Sequence, residues 1–149
     1  MNDQTPPAPV ISGLDYIKSL IDNWHGSPMA ETIAMRLIAA ADGTATFESF
    51  PQEKYYNPQK RVHGGYAATL IDSALGCAVQ TKLPAGIGYG TIELKVNFVR
   101  KIEVSSGRLL CTGTVIHAGR TMFTAEAKIT GDNGKLYAHG SGTFLVYPA

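Results

Sequence analysis

The stretch Asn57–Gly76, NPQKRVHGGYAATLIDSALG, decides how this chain is read. A histidine and two glycines precede an apolar run with helical spacing, and a single carboxylate, Asp72, interrupts that run. Ala67, Ile71, Ala74 and Ala78 form one stripe, flanked by Leu70 and Leu75, with Thr69, Ser73 and Gln80 opposite. The spacing predicts a helix from Gly64 to about Thr81. At its start the first amides lack intrahelical acceptors and the dipole favours negative charge. Glycines leave such amides open to an incoming oxygen, as an oxyanion hole requires. The same dipeptide is equally a plain glycine turn entering a helix, with His63 an ordinary loop residue.

Asp72 falls at the edge of the apolar face. A mid-helix carboxylate gains nothing from the dipole, and partial burial costs free energy unless it is hydrogen-bonded. It is therefore either a boundary Asp facing solvent or a carboxylate kept beside a cleft, as general base or nucleophile. Asp72 lies roughly 13 Å along the helix axis from His63 at 1.5 Å per residue. One chain's Asp72 cannot easily meet its own glycine amides at one atom, whereas a two-fold dimer would bring it to the partner's.

Downstream of Gly90 the pattern is sheet. TIELKVNFV alternates Ile92, Leu94, Val96 and Phe98 against Glu93, Lys95 and Asn97. GRLLCTGTVIHAG and TMFTAEAKIT follow across a tight HAGR turn, and GDNG is a hairpin signal before KLYAHGSGTFLVY. Upstream, Leu14, Ile17, Leu20, Ile21 and Trp24 predict a helix over Leu14–Trp24, broken by HGSP. Met29–Ala40 is ambiguous, with a strand preferred over Ile33–Ile38 because ADG reads as a turn. TATFESF is a strand ending at Pro51. Residues 1–12, with three prolines, read as a loose, flexible lead-in to a single domain over 13–149. A sheet with one dominant helix must cover its apolar face with that helix; pattern alone reaches an α+β sheet packed on a helix.

The chain has 149 residues, one domain's worth, with 44% hydrophobic content and a formal charge of +1. That balance gives no support for bulk electrostatic binding of nucleic acid. Cys77 and Cys111 lack metal-ligand spacing and sit among small or apolar residues, so neither a zinc site nor a disulfide framework is expected. His117 and His139 fall on distant strands, and no serine nucleophile-elbow motif is present. The N-terminus lacks a basic segment followed by an apolar stretch, and no run approaches ~18 apolar residues. The expectation is a cytoplasmic protein without membrane or nucleic-acid partners.

The central segment resembles the PaaI-like branch of hotdog-fold acyl-CoA thioesterases, in the 4-hydroxybenzoyl-CoA thioesterase superfamily. Asn57, Pro58, His63, Gly64, Gly65, Asp72 and Gly76 match that pattern in order and spacing, and the resemblance spans about Ala45 to Phe144. It implies a hotdog fold, a curved antiparallel sheet wrapped around a long central helix. It also implies hydrolysis of an acyl-CoA thioester to a carboxylate and CoA, with no cofactor beyond the substrate's own CoA. In that reading the Gly64 amide, aided by Gly65, polarises the thioester carbonyl. Asp72 of the neighbouring subunit acts as base or nucleophile. Asn57 and His63 orient the loop, the thioester or the lytic water, and Thr91 holds water beside Asp72. A homodimer assembling into a homotetramer follows.

CoA phosphates call for cations, for which Lys60, Arg61, Arg100, Lys101, Arg108 and Arg120 are candidates, Arg61 and Arg100 foremost. Tyr56, of the Tyr55–Tyr56 pair, is a candidate for the acyl or aryl pocket, with packing as the alternative. Two features depart from the family pattern. Lys60 replaces a glycine at a position suited to left-handed backbone, and Arg100 lacks a following proline. A displaced Lys60 loop would favour a non-catalytic acyl-thioester binding protein. A hydroxyacyl-thioester dehydratase is disfavoured by the placement of His63 relative to Asp72.

Overall fold

The computed structural model describes residues 11–24 and 26–149. The lead-in expected over 1–12 therefore lies outside the described residues except for Ile11 and Ser12, and so does His25. Helix α1 (Gly13–Asp22) begins at Ser12, whose hydroxyl accepts the Asp15 amide at 3.2 Å. It ends before Trp24, two residues short of the expected boundary, and buries Ile17.

The segment over Met29–Ala40 divides where a strand was expected from Ile33. A short helix α2 (Pro28–Thr32) comes first, and strand β1 (Met35–Ala41) follows. The HGSP breaker is also a helix start. Ser27 accepts the Ala30 amide at 3.2 Å, and Pro28 takes the first turn, where no N–H is required.

Strand β2 (Thr44–Ser49) pairs with β1 across an Asp42-Gly43 turn. Helix α3 (Gly64–Gln80) follows, then β3 (Ile87–Phe98), β4 (Leu109–Ala118), β5 (Met122–Gly131) and β6 (Leu136–Pro148). The six strands form one antiparallel sheet in the order β1-β2-β4-β5-β6-β3, a hotdog architecture with α3 as its filling. The predicted stripe of α3 is buried: Ala67, Leu70, Ile71, Ala74, Leu75 and Ala78 all lie in the core. Close approach of α3 depends on Gly113 of β4, where a Cβ would fall 2.3 Å from the Ala74 carbonyl oxygen. No helix among the described residues is long and apolar enough to cross a membrane.

Strand β3 corrects two expectations. It begins at Ile87, ahead of the Thr91 start read from the alternation. Its apolar row also does not turn into the core: Ile92, Leu94 and Phe98 are 56%, 37% and 62% exposed. The reason is topological. β3 is a terminal strand, bonded only to β6, with a bulge between Thr91 and Glu93. Its other edge is open and lined with apolar side chains.

Candidate active site

The loop before α3 is built from its own sequence. The Asn57 side-chain Oδ1 accepts the amides of Gln59 (3.0 Å) and Arg61 (3.4 Å), and the Lys60 amide returns to the Asn57 carbonyl at 2.9 Å. This closes an Asx-type turn. Lys60 occupies its left-handed position at φ 59°, so the turn is kept with a lysine where glycine would sit without strain. The displacement expected from Lys60 does not occur.

His63 then caps α3. Its Nδ1 accepts the Gly65 amide at 2.8 Å, and its carbonyl accepts the Tyr66 amide at 3.0 Å. The neutral imidazole therefore serves as a side-chain N-cap. Of the paired glycine amides, Gly65 is engaged inside the chain, while Gly64 donates to no acceptor among the described residues. Gly64 packs against the end of β3, and a Cβ there would sit 3.0 Å from the Phe98 ring.

Asp72 stands on the next part of α3, eight residues and roughly 12 Å further along the axis. Thr91 Oγ1 donates to Asp72 Oδ1 at 3.0 Å, so β3 orients the carboxylate directly. No cation pairs with Asp72 among the described residues. The carboxylate lines a cavity of about 270 Å³ with apolar walls from several elements, including Trp24, Met35 and Phe47. Thr91, Gly76 and Tyr89 complete the side facing β3. A carboxylate held through one oxygen, with the other directed to a cleft, can accept a proton from water or attack a carbonyl. Burial raises the pKa of the neighbouring Cys77 thiol to about 12, which keeps it protonated and unreactive at neutral pH.

The remaining expected residues scatter. Tyr56 does not line this cavity; its hydroxyl accepts the Val104 amide at 3.0 Å and ties down the loop after β3. Tyr55 stacks on Tyr66 with ring centroids 5.1 Å apart, so the aromatic pair is packing. Arg108 is paired with Glu48 at 2.9 Å and is not a free phosphate ligand. Arg100 lines a separate polar cleft of about 320 Å³ with Lys101 and Lys135, while Arg120 lies beside Lys82 in another depression. Lys60 and Arg61 are exposed on the Asn57 loop. Sequence reasoning missed Tyr89, Trp24 and Met35, which carry no local signal and meet only through tertiary packing.

The antiparallel sheet wrapped on α3 defines the class, an α+β hotdog domain. Residues 59–138 match the Thioesterase superfamily, and the chain belongs to that family. It is 33% identical over 142 residues, covering 88% of this chain and 90% of the relative, to a Halobacterium salinarum protein named as an esterase. A 1,4-dihydroxy-2-naphthoyl-CoA hydrolase from Listeria monocytogenes is 27% identical, covering 79% of this chain and 94% of the relative. The E. coli PaaI structure superposes with a TM-score of 0.79 at 19% identity, over 91% of this chain and 97% of that one, a likeness of fold. Family and named relatives together support a hydrolase acting on acyl thioesters in general.

Proposed function

We propose that this protein hydrolyses an acyl-CoA thioester to a carboxylate and free CoA, at a site completed by two copies of the chain. The observation that carries the reading is the arrangement along β3. Asp72 is fastened to Thr91 near one end of that strand, and Gly64 lies against Phe98 at the other. The strand's outer edge is open and presents Ile92, Leu94 and Phe98. Antiparallel pairing of two such edges, centred between Leu94 and Lys95, sets one chain's Thr91 beside its partner's Phe98. The Asp72 of one copy then approaches the Gly64 amide of the other, which the 12 Å spacing within one helix forbids. The same pairing buries the apolar row, whose exposure otherwise invites association.

In this site the Gly64 amide stabilises charge growing on the thioester oxygen, supported by the α3 dipole. The Gly65 amide holds His63 rather than the substrate, and Asn57 keeps the loop in register. Asp72, steadied by Thr91, activates water or attacks the carbonyl carbon; the thiolate of CoA leaves and takes up a proton. Arg100, with Lys101 and Lys135, offers charge for the CoA phosphates, and Arg61 and Lys60 stand at the loop for the same purpose. The naphthoyl-CoA hydrolase relative favours a CoA ester over other thioesters. Two free cysteines fit a reducing, cytoplasmic setting. Two dimers joining into a homotetramer complete the proposed assembly. A binding-only role relied on a displaced Lys60 loop, and the intact Asn57 turn removes that support.

Mixed dimers test the shared site. Asp72→Asn and Gly64→Ala should each be nearly inactive alone in thiol-release assays. Mixed by refolding or co-expression, they should regain up to about a quarter of wild-type activity, because half the dimers are hetero and each carries one intact site. Recovery at neither ratio nor concentration would overturn the two-chain arrangement.

A further inference from the structure

We propose that Tyr89 is a specificity-determining residue, its phenol donating a hydrogen bond to an acceptor oxygen carried by the acyl group in the cavity beside Asp72. The inference rests on the acyl-thioesterase reading and deepens it: the preferred acyl group is compact, apolar near the thioester and oxygen-bearing further in.

The argument begins with the cavity. At about 270 Å³ it suits one ring or a chain of modest length, and its entrance carries Asp72. Its lining holds no lysine or arginine, so a carboxylate tail on the substrate would meet only Asp72's like charge. Most walls are apolar, from Trp24, Met35 and Phe47 among others. Against them stands the Tyr89 hydroxyl, which has no hydrogen-bond partner among the described residues. The ring itself is anchored: it meets Phe144 edge-on with centroids 5.9 Å apart. A phenylalanine would pack there equally well, so packing does not account for the oxygen. An unpaired hydroxyl in desolvating surroundings is unfavourable, and such groups in native proteins generally have a reason.

Gly76 shows that the phenol tip needs its place. A Cβ at Gly76 would lie 2.6 Å from the Tyr89 hydroxyl, so α3 carries no side chain where that oxygen rests. Gly76 also lines the cavity, one helical turn (about 6 Å) beyond Asp72 on the same face. The hydroxyl thus marks a donor one turn deeper than the carboxylate. Burial, with the nearby Cys77 and Asp72 charges adding to it, pushes the Tyr89 pKa well above the ordinary phenol value. The group stays protonated at neutral pH and can donate. A site with a desolvated donor favours a ligand that accepts its hydrogen and disfavours the matched ligand that leaves it unpaired.

The test compares pairs of CoA esters that differ only by one oxygen: hexanoyl with 6-hydroxyhexanoyl, and benzoyl with 4-methoxybenzoyl and 4-hydroxybenzoyl. For wild type, kcat/KM should favour the oxygenated member of at least one pair by about tenfold, mainly through KM. In Tyr89→Phe the ratio should fall to near one. The ratio is the readout because a general loss of activity cancels from it. Gly76→Ala, which displaces the phenol from the opposite side, should erode the same ratio and guards against misfolding of either variant. Hydrolysis by wild type without preference, or a preference that survives Tyr89→Phe, overturns the role of Tyr89 and leaves the thioesterase reading standing. No thiol release from any ester by folded wild type overturns the reading underneath, and this inference with it.

Discussion

The two ends of the reacting half of α3 are built in opposite ways. Around Asn57–Gly65 nearly every polar group is tied locally: Asn57 to Gln59 and Arg61, His63 to Gly65 and Tyr66, leaving only the Gly64 amide as a donor. Around Asp72 the polar groups are few and face a void, with Thr91 the carboxylate's partner and Tyr89 unpartnered. A rigid frame that exposes one donor suits recognition of a fixed oxygen. A roomy apolar cavity with one carboxylate at its mouth suits a variable substrate group. The contrast suggests that mutations at the loop will act through stability and geometry together, whereas mutations at the cavity will act on chemistry and selectivity with little effect on folding.

Asp72→Asn is the strongest attempt to break that contrast. Asparagine keeps an oxygen for Thr91 while removing the base, so turnover should fall by roughly 10²–10⁴-fold. Thermal unfolding should shift by less than about 0.5 kcal/mol, because the carboxylate has no ion pair to lose. Normal turnover in the mutant would remove Asp72 from the chemistry. A large loss of stability instead would make it a structural group and erase the distinction between the two ends.

The loop end should respond differently. His63→Ala removes the acceptor for the Gly65 amide and should cost about 1 kcal/mol by thermal or denaturant unfolding. Turnover should fall with it, since the Gly64 donor loses its frame. His63→Asn discriminates between roles, because asparagine is a good N-cap. Recovery of stability and rate together places His63 in the frame alone. Recovered stability with a rate still depressed gives the imidazole direct contact with substrate or water.

This contrast also explains what the sequence could reveal. The loop and α3 are made of interactions between residues two to four apart, so their spelling is visible in one short stretch, and the buried stripe from Ala67 to Ala78 followed from periodicity. The cavity is assembled from α1, α2, β1, β2, α3 and β3, and no spacing connects Trp24 or Met35 with Tyr89. Strand β3 was misread in burial because an alternating apolar row looks the same whether it faces the core or an open edge. Helix α2, five residues long, is too short for periodicity to register, although Ser27-Pro28 signalled its start. The pairing of Thr91 with Asp72 was suggested by family resemblance, not by any pattern in the residues themselves.

The smallest effect sharpens the comparison most finely. Lys60 holds a left-handed φ of 59°, which costs a residue with a Cβ roughly 1–2 kcal/mol. Glycine would relieve that strain, but it also gives the unfolded chain more freedom to lose, offsetting about 0.5–1 kcal/mol. Lys60→Gly should therefore stabilise the protein only slightly, by about 0.5 kcal/mol, read as a small rise in melting temperature. Lys60→Ala keeps the strain and loses only the ammonium, so it serves as the control. If both variants raise KM for a CoA ester equally, the charge matters at the loop. If only glycine changes KM, the stiffness of the Asn57 turn is what the loop contributes, and the rigid end of the site is tuned by backbone strain rather than by charge.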